Sequence, residues 1–480
     1  MDIITVIGKY IEEIFKAAEE FQREEAGLLK LEERLRRASE ESAREVLGEI
    51  LSDTDRFLEE ARHRTELYTV QRHDRRTLIS SFGDVRFRHT LYRSRKNGSY
   101  HYLLDERLHL PKDEHFTEKA EVKLLEEAAQ TSYQKAAERI SSGSQKVSKV
   151  AVMNKIHQIV EELPEEEAAE KKCLEYLYVE ADEDHIHRQK AGKELKGSCI
   201  IGKLIYVHEG RKKVCEGRTE LVNPVYIGGE YKGAEGNREL WEKVQAYIEG
   251  HYDMESLKCV YISGDGGAWI KAGTETVVKS RFVADRFHLM KYINKAAKQA
   301  LAEEAEVKGQ LYRCIWKNQL KKAEQLLSEL GKSARNAEAV EECRTFLKNN
   351  WSGIERAFHD ENAQGCSAEG HVSHVYSDRM SSRPMGWSET GADRMCRLRC
   401  HIQTSGNRKV IELVRARREE AYAERMCTGT DGVEPEVAVV RKRYTKSQME
   451  VAAYAERMHA ELSSTLTRKQ IGICLNRKLF

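Results

Sequence analysis

The sequence has no long hydrophobic run. Hydrophobic residues make up 40% of its 480 positions, and no segment approaches the roughly 18 consecutive apolar residues that a membrane-spanning helix needs. The sequence therefore excludes a membrane protein. A chain of this length is expected to fold as about three domains.

Net charge of either sign is also missing. The 80 Lys and Arg residues are balanced by 79 Asp and Glu residues. Any affinity for nucleic acid must therefore come from local basic patches, because the summed field of the molecule favours neither anions nor cations.

Paired cysteine motifs are absent too. The eleven cysteines are scattered, and the closest pair, Cys396 and Cys400, has no second pair to complete a zinc ribbon. The first residues, MDIITVIGKYIEEIF, lack the basic and apolar blocks of a secretory leader. We expect a cytoplasmic, reduced protein whose cysteines are buried apolar residues.

Residues 1–75 are predicted to form an N-terminal helical region. From Ile3 to about Val70, apolar residues recur at steps of three and four, charged residues fill most other positions, and proline is absent. This pattern favours helices that pack on each other or on a partner subunit.

Residues 76–163 are predicted to bind DNA, first through a β-hairpin. The alternation at Val85–Arg88 and the turn signal Asn97-Gly98 indicate two antiparallel strands. Arg86 and Arg88 are candidates to contact phosphates, although arginines on a solvated strand face give the same pattern.

The same region contains two helical segments separated by a glycine break. A helix at Ser132–Ile140 is followed by Ser141-Ser142-Gly143-Ser144 and a helix from Lys146 to Ile159. Lys146 and Lys149 at the start of the second segment suit a helix-turn-helix that reads the major groove. Any short pair of antiparallel helices fits equally.

An acidic run at 161–172 marks a domain boundary, and the strongest strand signals follow it. Their order is three strands, a helix, two strands and a helix, which is the order of a ribonuclease-H-like α/β domain. The predicted elements are strands Leu174–Ala181, Cys199–His208 and Thr219–Ile227, helix Glu239–His251, strands Leu257–Ser263 and Arg281–Ala284, and helix Arg286–Ala302.

This catalytic domain, at 172–302 and 364–400, is predicted to be interrupted by an all-helical insertion at 303–363. Trp316 and Trp351 are expected to anchor the packing of the inserted helices. Residues 401–480 are predicted to form a basic, helical C-terminal region. The fold class is thus α/β with mainly helical flanking regions.

Two aspartates follow predicted strands. Asp182 comes directly after the first strand, and Asp265 lies just past the fourth, in Ile262-Ser263-Gly264-Asp265-Gly266-Gly267. Carboxylates at neighbouring strand ends can converge on one Mg²⁺ or Mn²⁺ ion. Each aspartate alone also fits the capping of a turn.

Four segments carry a resemblance to a known family: YLYVEADEDHI, VYISGDGGAWI, FVADRFHLMKYI and CSAEGHVSHVYSDRMSSRPMGWS. The chain resembles the DDE transposases of bacterial insertion sequences, of the ISLre type, which are related to Mutator-like transposases. The resemblance runs from the N-terminal helices to about Arg399. It implies Mg²⁺- or Mn²⁺-dependent cleavage and strand transfer at the ends of an element, double-stranded DNA as partner, a homo-oligomeric synaptic complex and a place at the bacterial nucleoid.

The resemblance also implies roles for individual residues. Asp182 matches the first catalytic aspartate, with Asp184 as the fallback, and Asp265 matches the second. Glu369, in a Glu-Gly pair that Ser367 is expected to cap, resembles the third metal ligand, and Glu389 is its competitor.

Asp285 and His288 match a DxxH element near the active site, where an orienting role and direct participation both remain open. Two other functions also remain open for the whole chain. It can be an inactive or domesticated transposase that only binds DNA, or a ribonuclease-H-fold nuclease that cuts without joining.

Overall fold

The computed structural model describes residues 3–23, 27–111, 113–141, 146–159, 168–189, 199–383 and 385–426. Residues 142–144 of the predicted glycine break, residues 161–167 of the acidic run and residues 427–480 of the predicted C-terminal region lie outside these residues. The chain divides into two compact units. The first unit takes 1–128, 132–152 and 411–480, and the second takes 129–131 and 153–410.

The elements described up to residue 159 are mostly helices, around one small sheet. They are α1 (Ile3–Gln22), α2 (Leu28–Glu60), α3 (Arg62–Leu67), β1 (Tyr68–Ser80), β2 (Gly83–Ser94), β3 (Tyr100–His101), α4 (Leu103–Arg107), α5 (Glu118–Gln130), α6 (Tyr133–Ile140) and α7 (Lys149–His157). The core of the first unit includes Leu58, Val85, Phe87, Tyr92 and Leu103.

The N-terminal hairpin differs from its prediction. Its long arms are β1 and β2, paired antiparallel from Tyr68↔Ser94 to Ser80↔Gly83, whereas the predicted turn at Asn97-Gly98 only joins β2 to the two-residue β3. The helical prediction to Val70 overruns the helix end at Leu67. β1 was missed because its middle, QRHDRR, has no apolar alternation, so the partner strand decides its conformation.

The remaining elements build an α/β arrangement. They are β4 (Tyr176–His187), β5 (Cys199–His208), β6 (Arg211–Cys215), β7 (Arg218–Leu221), β8 (Val225–Gly229), α8 (Gly233–His251), β9 (Cys259–Gly264), α9 (Ala268–Lys271), α10 (Gly273–Thr276), β10 (Ser280–Ala284), α11 (Arg286–Ala297), α12 (Glu304–Trp316), α13 (Leu320–Ser333), α14 (Ala337–His359), α15 (Ala368–Val372), α16 (Asp378–Met380), α17 (Glu389–Ser405) and α18 (Asn407–Met426).

A mixed five-stranded sheet, in the order β10-β9-β4-β5-β8, forms the centre of the second unit. β4 pairs antiparallel with β5, and β5 pairs antiparallel with β8. On the other side, β4 runs parallel to β9, and β9 runs parallel to β10. The buried strand residues pack on α8, α11 and the helices α12 to α14.

Two strand predictions are corrected. β4 does not end at Ala181 but continues to His187, because the polar residues after Ala181 still pair with β5, from Asp182↔Leu204 to His187↔Cys199. The predicted strand Thr219–Ile227 is divided between β7, which pairs with β6 in a separate ribbon, and β8.

Trp316, at the end of α12, is not the packing anchor that the sequence predicts, because 66% of it is exposed. Trp351 does pack partly against the core. Cys173, Cys199 and Cys215 are exposed, so the expectation of buried cysteines fails for these three. Among the described helices, none combines the length and apolar character needed to cross a membrane.

Candidate active site

The register of the three parallel strands brings three aspartates to one level of the sheet. Glu180 of β4 pairs with Ser263 of β9, so two residues further on Asp182 and Asp265 face the same level. Ala284 of β10 pairs with Gly264, which sets Asp285 beside Asp265. Neighbouring strands lie about 4.8 Å apart, and the alignment therefore gathers their carboxylates at one edge.

The backbone on both sides of Asp265 requires glycine. A Cβ on Gly264 would stand 2.7 Å from the carbonyl oxygen of Ala181, and Gly266 has φ +89° and would collide with the Asn350 amide if it carried a side chain. Only glycine tolerates both the left-handed conformation and this close approach. The Gly267 N–H donates to Asp265 Oδ1 at 2.8 Å, which orients the carboxylate.

Asp182 is 9% exposed, and its carboxylate accepts a hydrogen bond from the Glu183 N–H at 2.9 Å. The pKa of Asp182 is raised to about 6, chiefly by burial and also by the negative charges of Asp265 and Glu369, while the Glu183 hydrogen bond and the charge of His288 lower it. These mutual effects indicate that the four side chains share one electrostatic environment.

Asp285 holds His288 in place. As the N-cap of α11, Asp285 accepts hydrogen bonds from the Phe287 N–H at 2.9 Å and from His288 Nδ1 at 2.8 Å. The hydrogen bond that His288 donates to Asp285 raises the pKa of His288; burial lowers it, and the charges of Asp285, Asp182 and Asp265 raise it. His288 Nε2 points to Glu369, 3.8 Å from Oε2. An aspartate that fixes one nitrogen leaves the other aimed at the site.

Glu369 is the second residue of α15, and its side chain is 62% exposed. Because an exposed side chain changes rotamer freely, Glu369 can rotate toward Asp182 and Asp265. Ser367 does not cap α15 as the sequence predicts; its hydroxyl bonds to other residues, described below.

The donor set fits a hard divalent cation. Asp182, Asp265 and Glu369 offer carboxylate oxygens, the ligands that Mg²⁺ and Mn²⁺ prefer. Within the described ranges, no three His, Cys, Asp or Glu side chains already form a compact metal-binding group. Binding by all three carboxylates therefore requires Glu369 to turn inward.

The two fallback residues have other partners. Asp184 accepts hydrogen bonds from Ser381 Oγ at 2.8 and 3.1 Å. Glu389, at the start of α17, forms ion pairs with Arg188 and, at 2.9 Å, with Lys232. The structure thus brings Glu369, rather than Glu389, to His288.

Glu180 was missed by the sequence reasoning. It is 2% exposed, and it bonds to the side chains of Tyr206, His208 and Arg211 and to Ser367. Burial alone would raise the pKa of Glu180, but the hydrogen bond from His208 and the charge of Arg211 lower it to about 2. The local signal was a glutamate that directly follows the apolar run Leu177-Tyr178-Val179.

The predicted DNA-binding residues of the first unit differ in exposure. Arg88 is half-buried and pairs with Glu59 and, at 3.4 Å, with Asp55, so this arginine stabilises the unit itself. Arg86 is exposed, as are Lys146 and Lys149. The second predicted helix begins at Lys149 rather than Lys146, and Ser148 Oγ accepts from the Ala151 N–H in its first turn.

A groove of about 1080 Å³ opens beside Asp265 and His288. Its lining includes Lys271, Lys291 and Lys295 together with acidic residues of α14. Lys295 is paired with Glu342 at 2.5 Å, and Lys271 Nζ donates to the Asn349 backbone oxygen at 2.9 Å. Burial lowers the pKa of Lys271, and the negative charge of Asp265 opposes this effect.

Comparison with known proteins identifies the family to which the chain belongs. The chain belongs to the uncharacterised protein family UPF0236, whose model matches residues 22–417. A UPF0236 protein of Caldanaerobacter subterraneus subsp. tengcongensis is 36% identical over 406 residues, which cover 84% of each chain. Another UPF0236 protein of that organism is 34% identical, again over 84% of each chain.

Among solved structures, the Drosophila P element transposase strand transfer complex matches 63% of this chain and 81% of its own, with 10% identity and a TM-score of 0.20.

Proposed function

We propose that this protein is a DDE transposase, which binds the ends of an insertion sequence and catalyses metal-dependent DNA cleavage and strand transfer. The observation that carries the proposal is the level shared by Asp182 and Asp265 on adjacent parallel strands, with Glu369 of α15 close enough for its charge to raise the pKa of Asp182. Two carboxylates of the sheet and a third that can turn toward them from a helix are suited to hold cations against a phosphodiester.

The sheet supports the finer assignment of a ribonuclease-H-like domain. Three antiparallel strands are followed by two strands parallel to the first, and the first strand lies in the centre. This is the element order that the sequence predicts for such a domain. The helices α12 to α14 then stand between β10 and Glu369, as an insertion into the catalytic domain would.

The locus names of one relative add support. The name of the 36% identical protein joins eleven numbered loci of a single strain. A coding sequence present at many loci of one genome is the pattern that a mobile element leaves when it copies or moves itself.

The residues have distinct roles in the proposed reaction. Asp182, Asp265 and Glu369 would hold divalent cations, and the chemistry that these would supply is activation of the attacking oxygen and stabilisation of the leaving oxygen in an in-line displacement. Asp285 orients His288, whose Nε2 faces the site and can exchange a proton with water or with the leaving oxygen. Lys271 and Lys291 lie where they can contact flanking phosphates.

The test is a cleavage and joining assay on DNA that carries the ends of the element. We expect Mg²⁺- or Mn²⁺-dependent nicking at the ends and covalent joining of the released 3′ ends to a target plasmid. Cutting without joining would favour the nuclease, and binding without cutting would favour the inactive transposase. Chelation by EDTA must stop both steps, and activity that persists in EDTA would contradict the proposal.

The first unit is proposed to recognise the ends through α6 and α7. The double variant Lys146→Ala and Lys149→Ala is expected to bind end DNA more weakly, and the slope of log affinity against log salt should fall by about one for each lost phosphate contact. Fluorescence anisotropy at several salt concentrations measures both changes. Lys123→Ala, which removes an exposed lysine of α5, is the matched control, and an equal loss in that variant would remove the assignment.

A further inference from the structure

We propose that Glu180 is a positioning residue that sets the place of Glu369 relative to Asp182, without itself binding metal. The inference rests on the proposed function, because it assigns Glu369 to the metal site. It is carried by the contacts of Glu180 with the residue that precedes α15.

Glu180 and Asp182 lie two residues apart on β4, so their side chains project from the same face of the sheet. Ser367 and Glu369 are likewise two residues apart at the start of α15. Glu180 Oε2 accepts hydrogen bonds from the Ser367 N–H at 2.5 Å and from Ser367 Oγ at 3.1 Å. One carboxylate thus ties the strand that carries Asp182 to the segment that carries Glu369.

The contacts of Glu180 leave no oxygen for a metal ion. Arg211 Nη2 donates to Oε1 at 2.6 Å, and His208 Nε2 lies 3.0 Å from the same oxygen. Tyr206 Oη donates to Oε2 at 2.5 Å, where the two Ser367 groups also bind. A buried carboxylate with this many donors acts as a structural anchor, since its lone pairs are already used.

Two partners of Glu180, Arg211 and Tyr206, also bind Ser367, so the hydrogen bonds between β4 and the start of α15 form a closed network. Arg211 Nη2 donates to Ser367 Oγ at 2.9 Å, and Tyr206 Oη lies 3.0 Å from the same hydroxyl. Rotation of Ser367 away from β4 would break several hydrogen bonds at once. The network therefore restrains the backbone just before Glu369, while the Glu369 side chain stays exposed and free to rotate toward a cation.

The other end of α15 is held separately. His371 Nδ1 lies 2.8 Å from Tyr226 Oη, and Val372, the last residue of the helix, is buried. Loss of Glu180 is therefore expected to loosen the start of α15 without releasing the whole helix. Glu369 would keep its position only on average, which lowers metal affinity rather than abolishing it.

The experiment measures Mn²⁺ binding by calorimetry in the full-length protein, beside cleavage as a function of Mn²⁺ concentration. Glu180→Ala is expected to raise the dissociation constant for Mn²⁺ by roughly ten- to a hundredfold, the range typical of residues that orient metal ligands. Glu180→Gln, which still accepts from Ser367, is expected to lose less.

A double-mutant cycle separates positioning from general damage. In a Glu369→Gln background, Glu180→Ala is expected to change Mn²⁺ affinity no further, because its effect passes through Glu369. Glu209→Gln is the matched control: Glu209 follows β5, is paired with Lys172 at 2.5 Å, and none of its contacts described in the structure reach α15. The control should bind Mn²⁺ as the wild type does.

The possible outcomes are distinct. Wild-type Mn²⁺ affinity in Glu180→Ala, or an equal loss in the Glu369→Gln background, would overturn the positioning role while leaving the transposase proposal intact. A wild-type protein that neither binds Mn²⁺ nor cleaves DNA would overturn the proposed function instead. If Glu180→Ala does not fold, Tyr206→Phe and Ser367→Ala replace it in the test, because each removes one hydroxyl of the network. Both variants are expected to bind Mn²⁺ severalfold more weakly than the wild type. Unchanged Mn²⁺ affinity in both would overturn the positioning role.

Discussion

Asp182→Asn, Asp265→Asn and Glu369→Gln are each expected to lower the rate of DNA cleavage by roughly a thousandfold or more, with end binding nearly unchanged. A metal ion contributes several kcal/mol of charge stabilisation in the transition state, and each 1.4 kcal/mol corresponds to about tenfold in rate. These substitutions keep the side-chain size but weaken the ligands. Affinity for DNA comes mostly from phosphate contacts elsewhere.

The measurement is single-turnover nicking of end DNA, with binding followed by anisotropy on the same samples. Glu389→Gln is the comparison for the third ligand, because Glu389 pairs with Arg188 and Lys232 in the structure and is expected to remain active. If Glu389→Gln loses cleavage and Glu369→Gln retains it, the third carboxylate has been assigned to the wrong residue.

Asp182→Asn is also expected to stabilise the metal-free protein at neutral pH. The pKa of Asp182 is about 6 in the fold, above the ordinary value of 3.8, chiefly because of burial. A carboxyl whose pKa rises on folding disfavours the folded state once it ionises, so wild-type stability falls as pH rises from about 4 to about 6. The shift of about two units sets an upper limit of about 3 kcal/mol.

Chemical denaturation in EDTA at pH 4 and pH 7 measures this effect. The stability difference between Asp182→Asn and wild type should be near zero at pH 4 and largest at pH 7. Adding Mn²⁺ should offset most of this difference, because only the wild type gains binding energy, about 2.7 kcal/mol at a hundred times the dissociation constant.

Glu180→Gln is expected to change folding stability with the opposite pH dependence to Asp182→Asn: it should destabilise the protein at neutral pH, and this effect should shrink as pH falls. The pKa of Glu180 is lowered to about 2 from an ordinary 4.5, since the hydrogen bond from His208 and the charge of Arg211 outweigh burial. Its carboxylate stabilises the fold above about pH 4.5, and this contribution is lost as pH falls toward 2.

A stability difference for Asp182→Asn that does not change between pH 4 and pH 7 would contradict the assigned environment of Asp182.

Local sequence pattern was enough for the main strands of the second unit. The predicted strand Cys199–His208 is confirmed as β5, and the predictions for β9 and β10 agree with the structure to within two residues. β9 is a fully buried strand that ends in Gly264, a pattern that burial on both faces imposes, and β5 is apolar apart from its end residues, Gly202 and Lys203. Asp265 could be identified from its place after β9, whereas Asp285 was identified through the family resemblance.

Other features were decided by tertiary structure alone. The register that aligns Asp182 with Asp265, the contacts of Glu180 with Ser367, the pairing of Arg88 with Glu59 and the exposure of Trp316 all depend on residues far apart in the chain. A periodic pattern reports which face of an element is apolar, but it carries no information on which partner that face meets. The sequence by itself therefore determined the apolar strands β5, β9 and β10 and the candidates Asp182, Asp265 and Glu369, while long-range pairing decided the remaining strands and which carboxylates stand together.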